Sequence, residues 1–207
     1  MPLLHWSPRS PFVRKVMVAL HEKGLAEQIQ CIRTGVDPLI PHDAFMNVNP
    51  LSKIPTLELE DGQIFFDSHV ICRWADNTGK SKTVLFPDHL IAERDEALAD
   101  GLMEIAVQLL VESRLRPAEL RSGAVIDAYS RKIDRALSWI ESRVDALAER
   151  PIDIGHLSIG VALCYLDFRF AQEDWRGGRP KLAAWHEIFC KRPSVLATQF
   201  YDDPRPA

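Results

Sequence analysis

Ser7-Pro8-Arg9-Ser10-Pro11-Phe12-Val13-Arg14-Lys15-Val16 joins a short apolar run, Pro2-Leu3-Leu4-His5-Trp6, to a helical pattern carried by Phe12, Val13, Val16, Met17 and Leu20. The run reads as a strand, and the proline-rich break after it marks where the strand stops and the helix begins. Ser10 takes the N-cap position. Pro11 suits the first helical position, since its φ is already helical and its missing N–H would have had no partner there. The unpaired N–H groups and positive dipole end of such a helix favour an anion, so a thiolate beside the Ser10 hydroxyl would be stabilised. Taken alone the segment requires nothing beyond a helix cap, although one hydroxyl can accept from the backbone and donate to a ligand together.

Working outward, residues 2–33 read as a βαβ unit, with strands at Pro2–Trp6 and Gln28–Arg33 flanking a helix at Pro11–Lys23. Thr56-Leu57-Glu58-Leu59-Glu60 and Gln63-Ile64-Phe65-Phe66 flank Asp61-Gly62, a strong hairpin signal. A helix from Ser68 to Asn77 follows, with Val70, Ile71 and Trp74 on one face. The texture then changes at the polar stretch Thr78-Gly79-Lys80-Ser81-Lys82-Thr83. Leu98, Leu102, Ile105 and Leu109 mark one long helix, Ile126 to Leu147 a second, and Ile154 to Phe170 a third, with shorter helices after Pro180 and Pro193. The reading is an α/β domain over residues 1–78, a linker over 79–87 and an all-helical domain over 88–207.

With 207 residues, 46% of them hydrophobic, the chain has ample material for a globular core. Its 25 basic and 29 acidic residues are interspersed and give a net charge of −4, with no basic stripe to suit nucleic acid. The amino terminus has neither a basic segment nor an unbroken apolar run, so no signal peptide or membrane span is expected and a cytoplasmic location follows. Cys31, Cys72, Cys164 and Cys190 are widely spaced and form no metal-ligand motif, and the seven histidines are scattered. The cysteines read mostly as small buried hydrophobes, and no metal is expected.

A βαβ unit, a hairpin, a helix and an all-α domain in this order resemble the glutathione S-transferase superfamily, over nearly the whole chain. Ser10-Pro11 resembles the activating motif of its serine-type bacterial members, Asn49-Pro50-Leu51-Ser52-Lys53-Ile54-Pro55 the segment with the family's cis-proline, and Phe66-Asp67-Ser68 its acidic-serine motif. The resemblance implies a thioredoxin-like first domain and a glutathione transferase. The thiol of glutathione would be held as thiolate by Ser10 and the helix end, and joined to a small hydrophobic electrophile. It further implies that the Ile54 backbone, ahead of a cis Pro55, pairs with the peptide-like ligand, that Lys53 reaches its glycyl carboxylate, and that Ser68 and Asp67 meet its α-carboxylate and α-ammonium. Asp100 is the residue that would reach the glutathione of a second subunit in a homodimer. Trp6, Arg9 and Phe12 would bound the electrophile on one side, and Met103, Val107 and Arg114 on the other. A glutathione-dependent reductase or lyase and a non-catalytic glutathione-binding scaffold are the alternatives. Asp153-Ile154-Gly155-His156 stands where the family has a Ser/Thr-x-x-Asp capping box. Asp153 can cap the helix, but His156 offers no reciprocal carboxylate, so the helix start is expected without the box.

Overall fold

A computed structural model describes residues 1–203, which divide into two compact units. In the first, β1 (Leu3–Trp6) is flanked by β2 (Gln30–Arg33) and β3 (Thr56–Glu58), and β4 (Ile64–Phe65) completes a mixed sheet of order β2-β1-β3-β4. β1 and β2 are parallel, Leu4 opposite Cys31, and α1 (Pro11–Glu22) makes the crossover between them. β3 is antiparallel to both β1 and β4, pairing His5 with Thr56 and Leu57 with Phe65. This is a thioredoxin-like arrangement.

Helix α1 starts where its sequence says it should. Ser10 has extended backbone, its Oγ accepts from the Val13 N–H, and Pro11 occupies the first turn. It ends in a Schellman motif at Gly24: the Leu25 N–H donates to the Leu20 carbonyl and the Gly24 N–H to that of His21. Gly24 has φ of +69°, a conformation in which a side chain would clash with the backbone. The face of α1 carrying Val13, Val16 and Leu20 is wholly buried.

Three local expectations change. The hairpin strands are shorter than the alternating pattern suggested, because Leu59 and Gln63 pair across the turn while Gly62, at φ of +85°, closes a loop on the Leu59 carbonyl. The second strand begins at Gln30, since Ala26–Gln28 forms a single 3₁₀ turn. In α2 (Ser68–Thr78) the buried face is Ser68, Ile71, Cys72 and Ala75, at helical spacing, which leaves Val70 exposed and Trp74 half-buried.

The polar stretch read as a linker is tied to the first unit. Lys23, which caps α1, is almost completely buried and sends its ammonium to Asp76 Oδ1 (2.9 Å) and to the carbonyls of Ser81 (3.2 Å) and Thr83 (2.5 Å). Asp76 also accepts from the Leu85 and Phe86 N–H groups at 3.0 and 3.1 Å. The segment from Pro193 belongs to this unit too, although its sequence reads as part of the helical half. Its short helix α8 (Pro193–Leu196) packs on α1: Ser194 donates to Glu22 at 2.6 Å, and Arg14 reaches the Val195 carbonyl at 3.2 Å and lies over the Phe200 ring.

The second unit, His89–Arg192, is helical, with α3 (Leu90–Leu110), α4 (Gly123–Glu141), α5 (Val144–Ala148), α6 (Ile154–Arg169) and α7 (Pro180–Phe189). From Ile154 to Leu166 every residue of α6 is buried, the pattern of a helix enclosed on all sides, and α3 packs along it. The apolar repeat from Ile126 to Leu147 spans two helices. It breaks at Ser142, whose hydroxyl bonds the Trp139 carbonyl while Arg143 Nη1 bonds the same group.

At the start of α6, Asp153 accepts from the His156 N–H at 3.1 Å, and the Asp153 N–H lies 3.2 Å from His156 Nδ1, so an imidazole closes the box that was expected to be missing. His156 Nε2 is 2.8 Å from the Leu147 carbonyl, which only accepts, so Nε2 carries a proton. With the ring neutral, Nδ1 accepts from the Asp153 N–H; with the ring charged, it donates to Asp153 Oδ1, 2.7 Å away. Either state ties the α5–α6 connection to the helix end. Burial works against ionisation of Asp153, but His156 and Arg150 outweigh it and hold its pKa below the ordinary carboxylate range. Asp153→Ala should cost about 2–4 kcal/mol, combining a lost cap with a broken buried ion pair. Asp153→Ser, which keeps only the cap, should recover about 1 kcal/mol of that in urea unfolding. Full recovery by serine would assign the whole effect to capping.

Candidate functional site

Sheet direction brings three loops to one place. β1 runs towards Trp6, β3 starts at Thr56 opposite His5, and β4 finishes at Phe65 opposite Leu57. The segments after β1 (residues 7–10), before β3 (53–55) and after β4 (66–68) therefore leave the sheet at the same end. The side chains agree: Ile54 packs in one cluster with Val13 of α1 and Phe45, and Trp6 covers that cluster.

The first loop sorts its two serines. Ser7 is buried, accepts from the Arg9 N–H through Oγ and from the Ser10 N–H through its carbonyl, and so holds the loop closed. Ser10 is half-buried, and its Oγ accepts from the Val13 N–H at 3.3 Å. A hydroxyl that accepts a bond keeps its own proton to donate.

The second loop is held by a residue that the spacing of motifs did not single out. Asn49 is buried, and its Nδ2 donates to the Lys53 carbonyl and to Thr56 Oγ1, both at 2.9 Å, while its Oδ1 accepts from the Leu51 N–H. Thr56 Oγ1 in turn donates to the same Lys53 carbonyl. The peptide that follows, Ile54–Pro55, is cis, as the resemblance implied. Ile54 and Pro55 are buried and the Lys53 side chain is exposed.

In the third loop Asp67, and not Ser68, is the cap of α2: Oδ1 accepts from the His69 N–H at 3.1 Å. Asp67 is exposed and Ser68 buried. A carboxylate has two oxygens and about four lone-pair sites, so capping does not exhaust its capacity to accept.

Trp6 and Arg9 have partners that the sequence did not indicate. The Trp6 and Tyr201 rings lie 6.4 Å apart, and Arg9 Nε is 3.3 Å from Asp202 and 3.1 Å from Asp203. Asp203 also receives two hydrogen bonds from Arg33, at 2.6 and 3.1 Å, and these lower its pKa against the opposing effect of desolvation. Phe12 is half-buried at the start of α1.

Of the residues assigned to the second unit, Asp100 and Val107 are half-buried on α3, and Met103 is wholly buried with no surface to offer a ligand. Arg114 is exposed, donates to the Arg169 carbonyl at 2.6 Å and lies over the Phe170 ring. Trp175 is buried, its Nε1 donating to Asp167 at 2.7 Å. Cys164 comes together in this unit with His186 and Cys190, which lie 22 and 26 residues further along the chain. No helix among the described residues is long and apolar enough to cross a membrane.

Comparison with known proteins gives the same picture. The N-terminal domain pattern of glutathione S-transferases matches residues 9–78 and the C-terminal domain pattern residues 123–187. The uncharacterized GST-like protein YibF of Escherichia coli (strain K12) is 31% identical over 196 residues, 92% of this chain and 94% of that protein. A glutathione transferase family member from Pseudomonas fluorescens Pf-5, solved with bound glutathione, superposes with a TM-score of 0.92 at 38% identity, over 98% of this chain and all of that one. A glutathione S-transferase from Methylobacillus flagellatus KT, solved with glutathione, gives a TM-score of 0.86 at 31% identity, over 97% of this chain and all of that one. A thioredoxin-like unit with a cis-proline loop, an all-helical unit and both domain patterns in order mean that this chain belongs to the glutathione S-transferase superfamily.

Proposed function

We propose that the chain is a serine-type glutathione transferase, in which the glutathione thiolate, stabilised by the Ser10 hydroxyl and the N-terminus of α1, attacks a small hydrophobic electrophile. The observation that carries this reading is the convergence of Ser10, the Ile54–Pro55 peptide and the α2 start at one end of the sheet. Its support from relatives is the glutathione bound in the Pseudomonas and Methylobacillus proteins.

The chemistry follows from these groups. A thiol with pKa near 8.5 is mostly protonated at neutral pH, and the nucleophile is the thiolate. Val13 N–H fixes the Ser10 oxygen, leaving its O–H to donate to sulfur, and the helix dipole adds favourable potential. A shift of roughly two units corresponds to about 2–3 kcal/mol. The Ile54 backbone would pair with the cysteinyl unit, Lys53 with the glycyl carboxylate, and Ser68 and Asp67 with the two charges of the γ-glutamyl end. Serine at position 10 cannot form a mixed disulfide, which favours conjugation over dithiol exchange. The deciding experiment is a turnover screen with glutathione against aryl halides, isothiocyanates, epoxides, peroxides and mixed disulfides. Conjugation of any electrophile class supports the proposal; glutathione binding with no turnover in any class assigns the chain to a scaffold role.

The same proposal includes a cytoplasmic homodimer, with Asp100 reaching the second subunit's glutathione. A dimeric mass in light scattering at micromolar concentration is expected, and a monomeric one rejects it. Asp100→Ala should weaken glutathione binding by less than about fivefold, as a solvent-screened contact does.

A further inference from the structure

Cys164 lies on the buried helix α6, and His186 and Cys190 lie one turn apart at the end of α7. Gly160, one turn before Cys164 on the same face, has no side chain to hold α7 away: a Cβ there would run into the Phe189 ring. This close approach seats the end of α7 on Cys164. The Cys164 Sγ is 3.3 Å from His186 Nε2 and 3.8 Å from Cys190 Sγ, and Cys190 Sγ is 3.4 Å from the same Nε2. Both cysteines are outside any disulfide.

We propose that Cys164, His186 and Cys190 form a binding site for one thiophilic divalent cation, zinc in particular, which fastens α7 to α6. Zinc bonds of about 2.3 Å to sulfur and about 2.05 Å to nitrogen, set at tetrahedral angles, place two sulfurs ~3.8 Å apart and sulfur and nitrogen ~3.6 Å apart. The observed triangle has those edges within about 0.3 Å, a difference that small rotations of the cysteine side chains accommodate. A planar three-coordinate ion would need all three edges wider. The ion would sit above the plane of its ligands and keep a fourth position for water or another donor.

The surroundings suit a histidine ligand. His186 Nδ1, the nitrogen away from the sulfurs, lies 3.8 Å from Asp167 Oδ2. At that distance the carboxylate is an ion-pair neighbour and not a hydrogen-bond partner, but it stands on the side of the ring where the second partner of a metal-ligating histidine is found. Asp167 is itself fixed by Trp175 Nε1 at 2.7 Å and by both terminal nitrogens of Arg176 at 2.6 and 2.7 Å. His186 is 1% exposed and Cys164 8%, while the half-buried Cys190 gives a route from solvent. Binding exchanges the two thiol protons for the cation and releases them to solvent. The site lies wholly within the helical unit and is independent of the glutathione reading.

The test uses the full chain, reduced and stripped by a chelator, and titrated with Co(II). Sulfur-to-cobalt charge-transfer bands and strong visible bands of tetrahedral cobalt should saturate at one equivalent per chain and vanish on addition of Zn(II). Cys31→Ser should leave the titration unchanged, and Cys190→Ser should weaken binding at least about 100-fold. For the unaltered protein, Zn(II) should protect the half-buried Cys190, but not the exposed Cys31, from alkylation, a readout that needs no variant to fold. Absence of the cobalt bands, binding that survives Cys190→Ser, or equal alkylation with zinc and with chelator would overturn the site.

Discussion

Replacing Ser10 with alanine should lower kcat/KM at neutral pH about 30- to 150-fold, the kinetic equivalent of losing about 2–3 kcal/mol of thiolate stabilisation. The loss should shrink as pH rises, because bound glutathione then ionises without help, and its apparent pKa should move up by roughly two units. Binding should suffer less than rate. Ser10 also caps α1 through Val13, so alanine alone confounds catalysis with about 1 kcal/mol of stability. Glycine separates them, since it is tolerated at a cap within a few tenths of a kcal/mol but has no hydroxyl. Ser10→Gly should therefore be as stable as the parent and as slow as Ser10→Ala. If its rate and thiol pKa match the parent, Ser10 is only a cap. Ser7 would be a poor substitute, because it is buried and already engaged by the Arg9 N–H.

What the sequence revealed depended on how local the physics was. The Ser10 cap and the start of α6 at Asp153 could be read because each is decided within about four residues, by an N–H in need of an acceptor. The cis Ile54–Pro55 bond followed from family resemblance; its support comes from Asn49, a buried amide whose four-residue reach to Lys53 looks in sequence like any polar loop. Val70 was misplaced because an apolar pattern of ten residues leaves the centre of the buried face uncertain by one position. The His156 box was missed because the expected partner was a carboxylate, and an imidazole nitrogen meets the same N–H.

Contacts made over long sequence separations had no such signature. The Tyr201–Asp203 stretch meets Trp6, Arg9 and Arg33, more than 160 residues earlier, through charges that are ordinary in composition. Cys164 and Cys190 are 26 residues apart and show no ligand motif, since the element that joins them is a glycine, Gly160, that lets two helices touch. Spacing rules detect ligands shared along one helix. They could show the His186–Cys190 pair, four residues apart, but are blind to Cys164, which comes from another helix.

Asp76→Ala should be the most damaging single change outside the candidate site, at about 3–5 kcal/mol, the range for breaking a buried ion pair by removing one partner. It leaves the ammonium of Lys23, a residue 3% exposed, without its counter-ion and with the Ser81 and Thr83 carbonyls alone, and removes the acceptor of the Leu85 and Phe86 N–H groups. Burial opposes the charge on Asp76, but those N–H groups and Lys23 outweigh it and depress its pKa. A carboxylate with a depressed folded-state pKa contributes its full stability above the unfolded value, about 3.9, and loses it as pH falls through the folded one. The stability gap between the parent and Asp76→Ala should therefore be constant from pH 6 to 8 and narrow only below about pH 4. Urea unfolding across that range measures it, and a loss under about 1 kcal/mol at pH 7 would place the pair among screened surface contacts. Adding Lys23→Met to Asp76→Ala should recover part of the loss, because the second change removes the charge that the first left buried without its counter-ion. If instead the two changes add independently, the cost belongs to the Leu85 and Phe86 N–H groups, and what fastens residues 79–86 to the first unit is hydrogen bonding to Asp76 and not its charge.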